Sequence, residues 1–178
     1  TPEGKGMRKA FLRAPLDFTR ISSRFNPNRR HPITGKVRAH KGIDYAAPTG
    51  TPIYAAGDGR IEFAGRKGGY GNAVVINHGR NITTLYGHLS RLGKSARSGR
   101  ALRQGAVIGY VGSTGASTGP HLHYEYRIKG AHKNPESIPL PNTEIAAAYV
   151  SEFRGQAETT LAQLEIASAV GTGTLASL

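Results

Sequence analysis

The stretch Pro120-His121-Leu122-His123-Tyr124-Glu125-Tyr126-Arg127-Ile128 alternates without a break: His121, His123, Glu125 and Arg127 fall on one face, and Leu122, Tyr124, Tyr126 and Ile128 on the other. Successive side chains of an extended strand point to opposite faces, so a period of two predicts a strand with an apolar underside and a face of imidazoles and charges. His121 and His123 then meet on one side, whereas on a helix the same pair would diverge by about 200°. A lone His-x-His is more often incidental than functional, so its weight comes from the rest of the chain.

Upstream, short apolar runs are punctuated by turn residues. Thr51–Ala56 and Arg60–Ala64 flank Gly57-Asp58-Gly59, which predicts a hairpin. Ala73–Asn77 and Ile82–His88 flank His78-Gly79-Arg80-Asn81 and predict a second, with His88 ending its strand. Ala106–Val111 is apolar and bounded by glycines, which number 24 in the chain. Many short strands at this spacing predict a mainly β fold, an antiparallel, sandwich-like sheet. Composition shifts after Asn134. Pro135, Pro139 and Pro141 read as an extended linker. Ile145, Tyr149, Phe153, Ala157, Leu161 and Leu164 then recur at helical spacing, predicting a C-terminal helix from Thr143 to about Ala169 that packs on the sheet or frays, weakened in its middle by Gly155. Gly171–Leu178 reads as a disordered tail. The expected organisation is a main domain over residues 1–135, with its core from about 10, and a linker, helix and tail over 136–178.

Composition narrows the partners. The 178 residues suit one domain with its own core, and no apolar run is long enough to span a bilayer. Residues 1–20 lack the apolar segment of a signal peptide, and the start at Thr1-Pro2-Glu3 reads as a mature product or an excised fragment. The absence of cysteine excludes disulfides, thiolate metal sites and cysteine nucleophiles. A formal net charge of +13 favours a polyanionic partner such as an anionic cell wall, membrane surface or nucleic acid. Arg29, Arg30, Lys36, Arg38 and Lys41 form one basic group. Arg91, Lys94, Arg97, Arg100 and Arg103 form a second, broken by Gly93 and Gly99 and so expected in an irregular turn. Nucleic acid is disfavoured, because neither an aromatic stacking platform nor a helix-turn-helix signature accompanies the charge.

Four of the seven histidines lie in three short segments: His40-Lys41-Gly42-Ile43-Asp44, Tyr86-Gly87-His88-Leu89 and His121-Leu122-His123. His and Asp are ordinary zinc ligands, and a catalytic zinc takes three protein ligands and keeps one position open. Four imidazoles and one carboxylate therefore suffice for a metal and two proton-handling groups, the inventory of a zinc hydrolase. His40 and Asp44, four apart, share a face on a helix or a strand, and Lys41-Gly42 argues against the helix. No His-Glu-x-x-His helix, Gly-x-Ser-x-Gly elbow or phosphate loop competes. Gly68-Gly69-Tyr70-Gly71-Asn72 is expected to be a loop near the cleft, and His31, His78 and His132 receive no role.

These segments carry a resemblance. His40-Lys41-Gly42-Ile43-Asp44-Tyr45-Ala46-Ala47-Pro48-Thr49-Gly50-Thr51-Pro52 resembles the first motif of the lysostaphin/LytM-type zinc endopeptidases. Gly71–Gly79 followed by Tyr86-Gly87-His88-Leu89 resembles their middle segment, and Gly112–Glu125 their closing motif. The likeness runs over roughly residues 10 to 135. Within that family the chain is most similar to Gram-negative murein DD-endopeptidases of the MepM kind, through Phe11–Pro15, Arg20–Pro27 and His31–Gly35. Members that cleave Gly-Gly bonds carry a tyrosine shortly before the first zinc histidine, and none occurs here between Thr1 and His40.

The resemblance implies a zinc held by His40, Asp44 and His123, with His88 and His121 handling protons beside it and His121 favoured as the base. It implies peptidoglycan stem peptides as the partner, with D-alanyl–meso-diaminopimelate cross-links as the bond cleaved. It places the protein in the periplasm or cell envelope, where a longer form would carry an inner-membrane anchor, a wall-binding module or an inhibitory segment. The alternatives within the family are a Gly-Gly endopeptidase and a non-catalytic activator of cell-wall amidases. The latter group has lost metal ligands, and here all five polar positions are present.

Overall fold

The computed structural model describes residues 5–9, 11–29, 39–137, 142–144 and 150–173. Arg30, His31, Lys36, Arg38, Pro139 and Pro141 lie outside the described residues, as does 174–178 of the expected tail. The chain forms two units, one made of residues 1–9 with 141–178 and the other of residues 10–140.

In the smaller unit, β1 (Lys5–Lys9) pairs antiparallel with β12 (Asn142–Glu144), and α1 spans Val150–Gly173. The helix expected from Thr143 therefore begins later, because 142–144 is extended and paired. It also passes unbroken through Gly155 and includes 171–173. Its described apolar residues Leu161, Leu164 and Ile166 are exposed.

The larger unit is a sheet of β2 (Arg20–Ser23), β3 (Ile43–Ala46), β4 (Pro52–Tyr54), β5 (Gly59–Arg66), β6 (Asn72–Asn77), β7 (Ile82–Leu92), β8 (Ala101–Leu102), β9 (Val107–Val111), β10 (His121–Ile128) and β11 (Ala131–Lys133), with a 3-10 turn at Gly68–Tyr70. The main path runs β2-β3-β10-β7-β6-β5-β8, with β11 on β10 and with β9 joining β4 to β7. Every pairing is antiparallel. The mainly β, antiparallel expectation holds, and so does the β6–β7 hairpin across 78–81.

The other expected hairpin does not form. β4 pairs with β9, and β5 with β6 and β8. The Gly57-Asp58-Gly59 turn is tied to the turn that follows β8 instead: the Gln104 backbone N–H donates to Asp58 Oδ1 at 2.6 Å and the Gln104 side-chain amide to Ala56 O at 3.0 Å. Turn residues mark where the chain reverses, but long-range bonds of this kind decide which strands pair.

The alternation of β10 is realised. Leu122, Tyr124 and Tyr126 are buried in a core shared with Ile43, Tyr86 and Val111, among others. Full burial of one such side chain is worth about 1.5–3 kcal/mol. The opposite face carries His121, His123, Glu125 and Arg127.

β7 runs past His88 to Leu92, so His88 does not end its strand. Along one edge β7 pairs with β10 from Ile82 to Gly87, then with β9 from Leu89 to Leu92. Strands β9 and β10 thus follow one another along the same edge of β7, and residues 112–120 loop out between them. His88 sits at that junction with φ +64, a left-handed conformation rare outside glycine. The ladder to β6 also shifts register there, and such a bulge turns a side chain away from the direction the pleat would give it.

Candidate active site

Asp44 and His123 are directly opposed in the β3–β10 ladder, which puts both side chains on one face at close range. Asp44 Oδ1 lies 2.7 Å from His123 Nδ1. His40 comes from just before β3, where it exchanges both backbone hydrogen bonds with Asn26. Its Nδ1 lies 2.8 Å from the carbonyl of Arg24, an acceptor only, so Nδ1 carries the proton and Nε2 presents its lone pair. That Nε2 is 3.1 Å from Asp44 Oδ2 and 3.3 Å from His123 Nδ1.

His121 and His88 complete the group. Their rings are 4.7 Å apart, and His121 Nε2 is 3.8 Å from Asp44 Oδ1. His121 Nδ1 donates to Gly119 O at 2.8 Å and His88 Nδ1 to Thr114 O at 2.7 Å. Both carbonyls belong to the 112–120 loop, so that loop sets both tautomers and leaves both Nε2 atoms as acceptors. The structure brings together all five residues singled out in the sequence.

The loop is clamped in turn. Thr114 Oγ1 donates to Leu89 O at 2.9 Å and accepts from Asn72 N–H at 2.9 Å, while Ala116 N–H donates to Gly69 O at 2.8 Å. Gly115 has φ +76, and a Cβ there would meet Gly71 N at 2.4 Å, so only glycine permits this contact between the two loops. Gly69 and Tyr70 accordingly line the groove, as expected of the glycine-rich segment. Arg29 and Lys41 line the same groove.

Three polar partners were not foreseen: Glu125, Tyr70 and Arg127. Glu125 is fully buried, 0% exposed. Its Oε1 lies 3.1 Å from His123 Nε2 and accepts the Tyr70 hydroxyl at 2.8 Å. Its Oε2 accepts Arg127 Nε at 2.8 Å and Arg127 Nη2 as well. His132 Nε2 is 3.1 Å from Oε2 without hydrogen-bond geometry. The signal was available: the period of two puts Glu125 on the face of the two histidines.

Burial alone would raise the pKa values of Asp44 and Glu125. Hydrogen bonds from His123 and His40 overcome it and hold Asp44 well below the usual carboxylate range. Bonds from His123 and Arg127 bring Glu125 down to about 2. Burial pushes His123 down, but its bonds to the two carboxylates prevail and hold it up at about 9. Burial pushes the pKa of His88 below its ordinary 6.5, against the bond to the Thr114 carbonyl, which raises it.

A metal fits this donor set. Two imidazole nitrogens and a carboxylate from two segments far apart in sequence converge, all within 4.8 Å of one another. Donors about 2.1 Å from a tetrahedral centre lie about 3.4 Å apart, close to the separation of His40 Nε2 and His123 Nδ1. A single proton can bridge only one pair of these atoms, whereas a cation between them satisfies all three.

The sequence profile of peptidase family M23 matches residues 38–135, a span that holds all five residues. The chain belongs to peptidase family M23. It is 47% identical over 163 residues to the peptidoglycan DD-endopeptidase ShyC of Vibrio cholerae, covering 91% of this chain and 37% of ShyC. It is 55% identical over 142 residues to the DD-carboxypeptidase/endopeptidase Mpg of Neisseria meningitidis, covering 80% of this chain and 32% of Mpg. The chain thus spans about a third of the length of these curated relatives. Among solved structures, a zinc-containing peptidase from Vibrio cholerae superposes with a TM-score of 0.71 at 38% identity, over 75% of this chain and 41% of that one.

Proposed function

We propose that this M23 domain is a zinc-dependent endopeptidase that hydrolyses peptidoglycan stem-peptide cross-links, with the D-alanyl–meso-diaminopimelate bond as its substrate. The convergence of His40 Nε2, Asp44 and His123 Nδ1 on one point carries this reading. These three residues would hold the zinc. When bound, zinc supplies a Lewis acid that acidifies water and polarises a carbonyl.

The chain's own residues do the rest. His121 accepts the proton of the attacking water at Nε2, since its Nδ1 is committed to Gly119 O. His88 stands beside it, also with only Nε2 free; once that atom has taken up a proton from solvent, it can donate to the developing oxyanion or pass the proton to the leaving amine. In both rings proton traffic therefore runs through Nε2 alone.

Charge supports the choice of polymer. From residue 18 to 43 the sequence holds seven Lys and Arg and no Asp or Glu. Both carboxylates of the groove, Asp44 and Glu125, are occupied by internal partners. The groove wall with Arg29 and Lys41 thus suits a substrate that carries free carboxylates. The name of the relative ShyC, a peptidoglycan DD-endopeptidase, supports the same polymer, and on a wall substrate the protein would act in the periplasm or cell envelope. A wall-binding, anchoring or inhibitory region of a longer form remains part of this proposal.

The test is digestion of diaminopimelate-type sacculi by purified protein, with and without a zinc chelator. The expected result is conversion of cross-linked dimers to monomers, abolished by chelator and restored by zinc. Asp44→Ala is expected to lose both zinc and cleavage. Retention of either would remove Asp44 from the ligand set. No cleavage by zinc-loaded protein would turn the reading towards an amidase activator or, with pentaglycine sacculi as the next substrate, a Gly-Gly endopeptidase.

A further inference from the structure

We propose that Glu125 is the positioning residue that decides which nitrogen of His123 faces the metal site, and that Tyr70 completes its acceptor geometry from the groove wall. The proposal rests on reading His123 as a ligand.

The four site histidines are oriented in two different ways. His40, His88 and His121 each direct Nδ1 at a backbone carbonyl, of Arg24, Thr114 and Gly119 respectively. His123 is the exception. Its Nδ1 faces Asp44, and its far nitrogen Nε2 faces a side chain, the carboxylate of Glu125, at 3.1 Å. An ionised carboxylate only accepts, so Nε2 carries a hydrogen, and Nδ1 carries one as well while it faces Asp44; once the Nδ1 proton leaves, Glu125 keeps the other on Nε2 and the lone pair is on Nδ1. A ring flipped by 180° would instead turn carbon atoms towards both carboxylates.

Glu125 is built for this task and not for contact with substrate. It is fully buried, and each of its oxygens already has two donors: Tyr70 and His123 on Oε1, Arg127 Nε and Nη2 on Oε2. No acceptor capacity is left for an incoming water or peptide. Backbone packing fixes it as well. Glu125 is paired with Leu85 in the β10–β7 ladder. A Cβ on Gly42 would lie 2.9 Å from His123 Cε1, 3.0 Å from Glu125 Cγ and 2.4 Å from Tyr124 O. Glycine at 42 thus lets the chain close over the His123–Glu125 pair. Tyr70 adds the link to the groove, because the same residue lines the wall and bonds the carboxylate that orients the ligand. A charged acceptor behind a histidine ligand also raises its basicity, and loss of such a partner commonly costs 10–100-fold in metal affinity.

The experiment compares wild type, Glu125→Gln and Tyr70→Phe by two readouts: zinc affinity by chelator competition, and the nitrogen-15 shifts of the His123 ring in the metal-free protein, followed to a pH well above its pKa of about 9, where the ring is neutral and a tautomer is defined. Glu125→Gln keeps the shape but replaces a pure acceptor with a group that can also donate. The expected result is a 10–100-fold weaker zinc affinity and a mixture of His123 tautomers. Tyr70→Phe, which deletes one hydroxyl, is expected to weaken zinc severalfold in the same direction. Wild-type affinity together with an unchanged tautomer pattern in folded Glu125→Gln overturns the proposal. Should that variant not fold, wild-type affinity in Tyr70→Phe does so. A wild-type protein that binds no zinc would refute the ligand reading, while the ring shifts would still report whether Glu125 sets the tautomer.

Discussion

Strands β10 and β7 lie side by side in one ladder and deliver their histidines in opposite ways. β10 does so by staying regular: His121 and His123 share a face because the pleat repeats every two residues. β7 does so by breaking its pleat at His88, with φ +64, at the point where its edge partner changes from β10 to β9. A regular strand supplies neighbouring groups on one face at no conformational cost. To bring another group in from the adjacent strand, the backbone must rotate, at a cost of about 1–2 kcal/mol for an L-residue in this region.

The largest effect expected from this comparison is catalytic. His121→Ala and His88→Ala should each lower kcat on cross-linked muropeptides by about 10²–10⁴-fold while zinc content stays at one per chain. A loss below tenfold for His88→Ala would break the comparison, since the bulge would then position nothing that matters. Loss of zinc in either variant would move that histidine into the ligand set.

Stability separates the two strands at the next level down. At His88, glycine relieves the left-handed strain that alanine retains. His88→Gly should therefore be more stable to urea than His88→Ala by about 1 kcal/mol, with both inactive. At the extended His121 the order should reverse, because glycine there only adds freedom to the unfolded chain. The same order at both sites would show that φ at His88 stores no strain.

The same contrast explains what the sequence discloses. The regular part was readable: the alternation of residues 120–128 located β10, its buried face and the convergence of His121 with His123. The β6–β7 hairpin followed from its turn residues. The bulge was not readable, because nothing in Tyr86-Gly87-His88-Leu89 states that β7 changes partners there. That depends on where β9 and β10 end, two long-range facts. The hairpin expected at Gly57-Asp58-Gly59 misled for the same reason, since Gln104 captures the turn from 46 residues away. Glu125 lay on the correct face, but its partner Tyr70 is 55 residues distant and entered the reading only as part of a loop near the cleft.

The turn that leads into β7 offers a control histidine to which the sequence reading assigned no role. His78 donates from Nδ1 to Asp58 O at 2.7 Å, and its Nε2 lies 2.8 Å from the buried hydroxyl of Thr84. Burial lowers its pKa from the ordinary 6.5. Below pH 6.5 the unfolded chain therefore binds this proton more readily than the folded one, so stability falls as pH drops through that value towards the lower folded pKa. The slope from this one group is at most about 1.4 kcal/mol per pH unit. His78→Gln should flatten the urea-measured stability of wild type between about pH 6.5 and 5 by that contribution. An unchanged slope would mean that His78 is not the group being charged.

The smallest expected effect concerns periodicity without burial. Leu122 and Leu164 both belong to apolar patterns that located their elements, β10 and α1. Leu122 is 0% exposed and Leu164 61%. Spacing reveals which side chains share a face, but it does not reveal what covers them. Because Leu164 faces solvent, Leu164→Ala removes little buried area, and alanine favours the helix slightly more than leucine does. Its effect on the urea midpoint should correspond to less than about 0.5 kcal/mol. A cost of 2 kcal/mol or more, the range for a buried leucine, would show that in solution α1 is covered, and the apolar row of the helix would then act as a packing face comparable to the underside of β10.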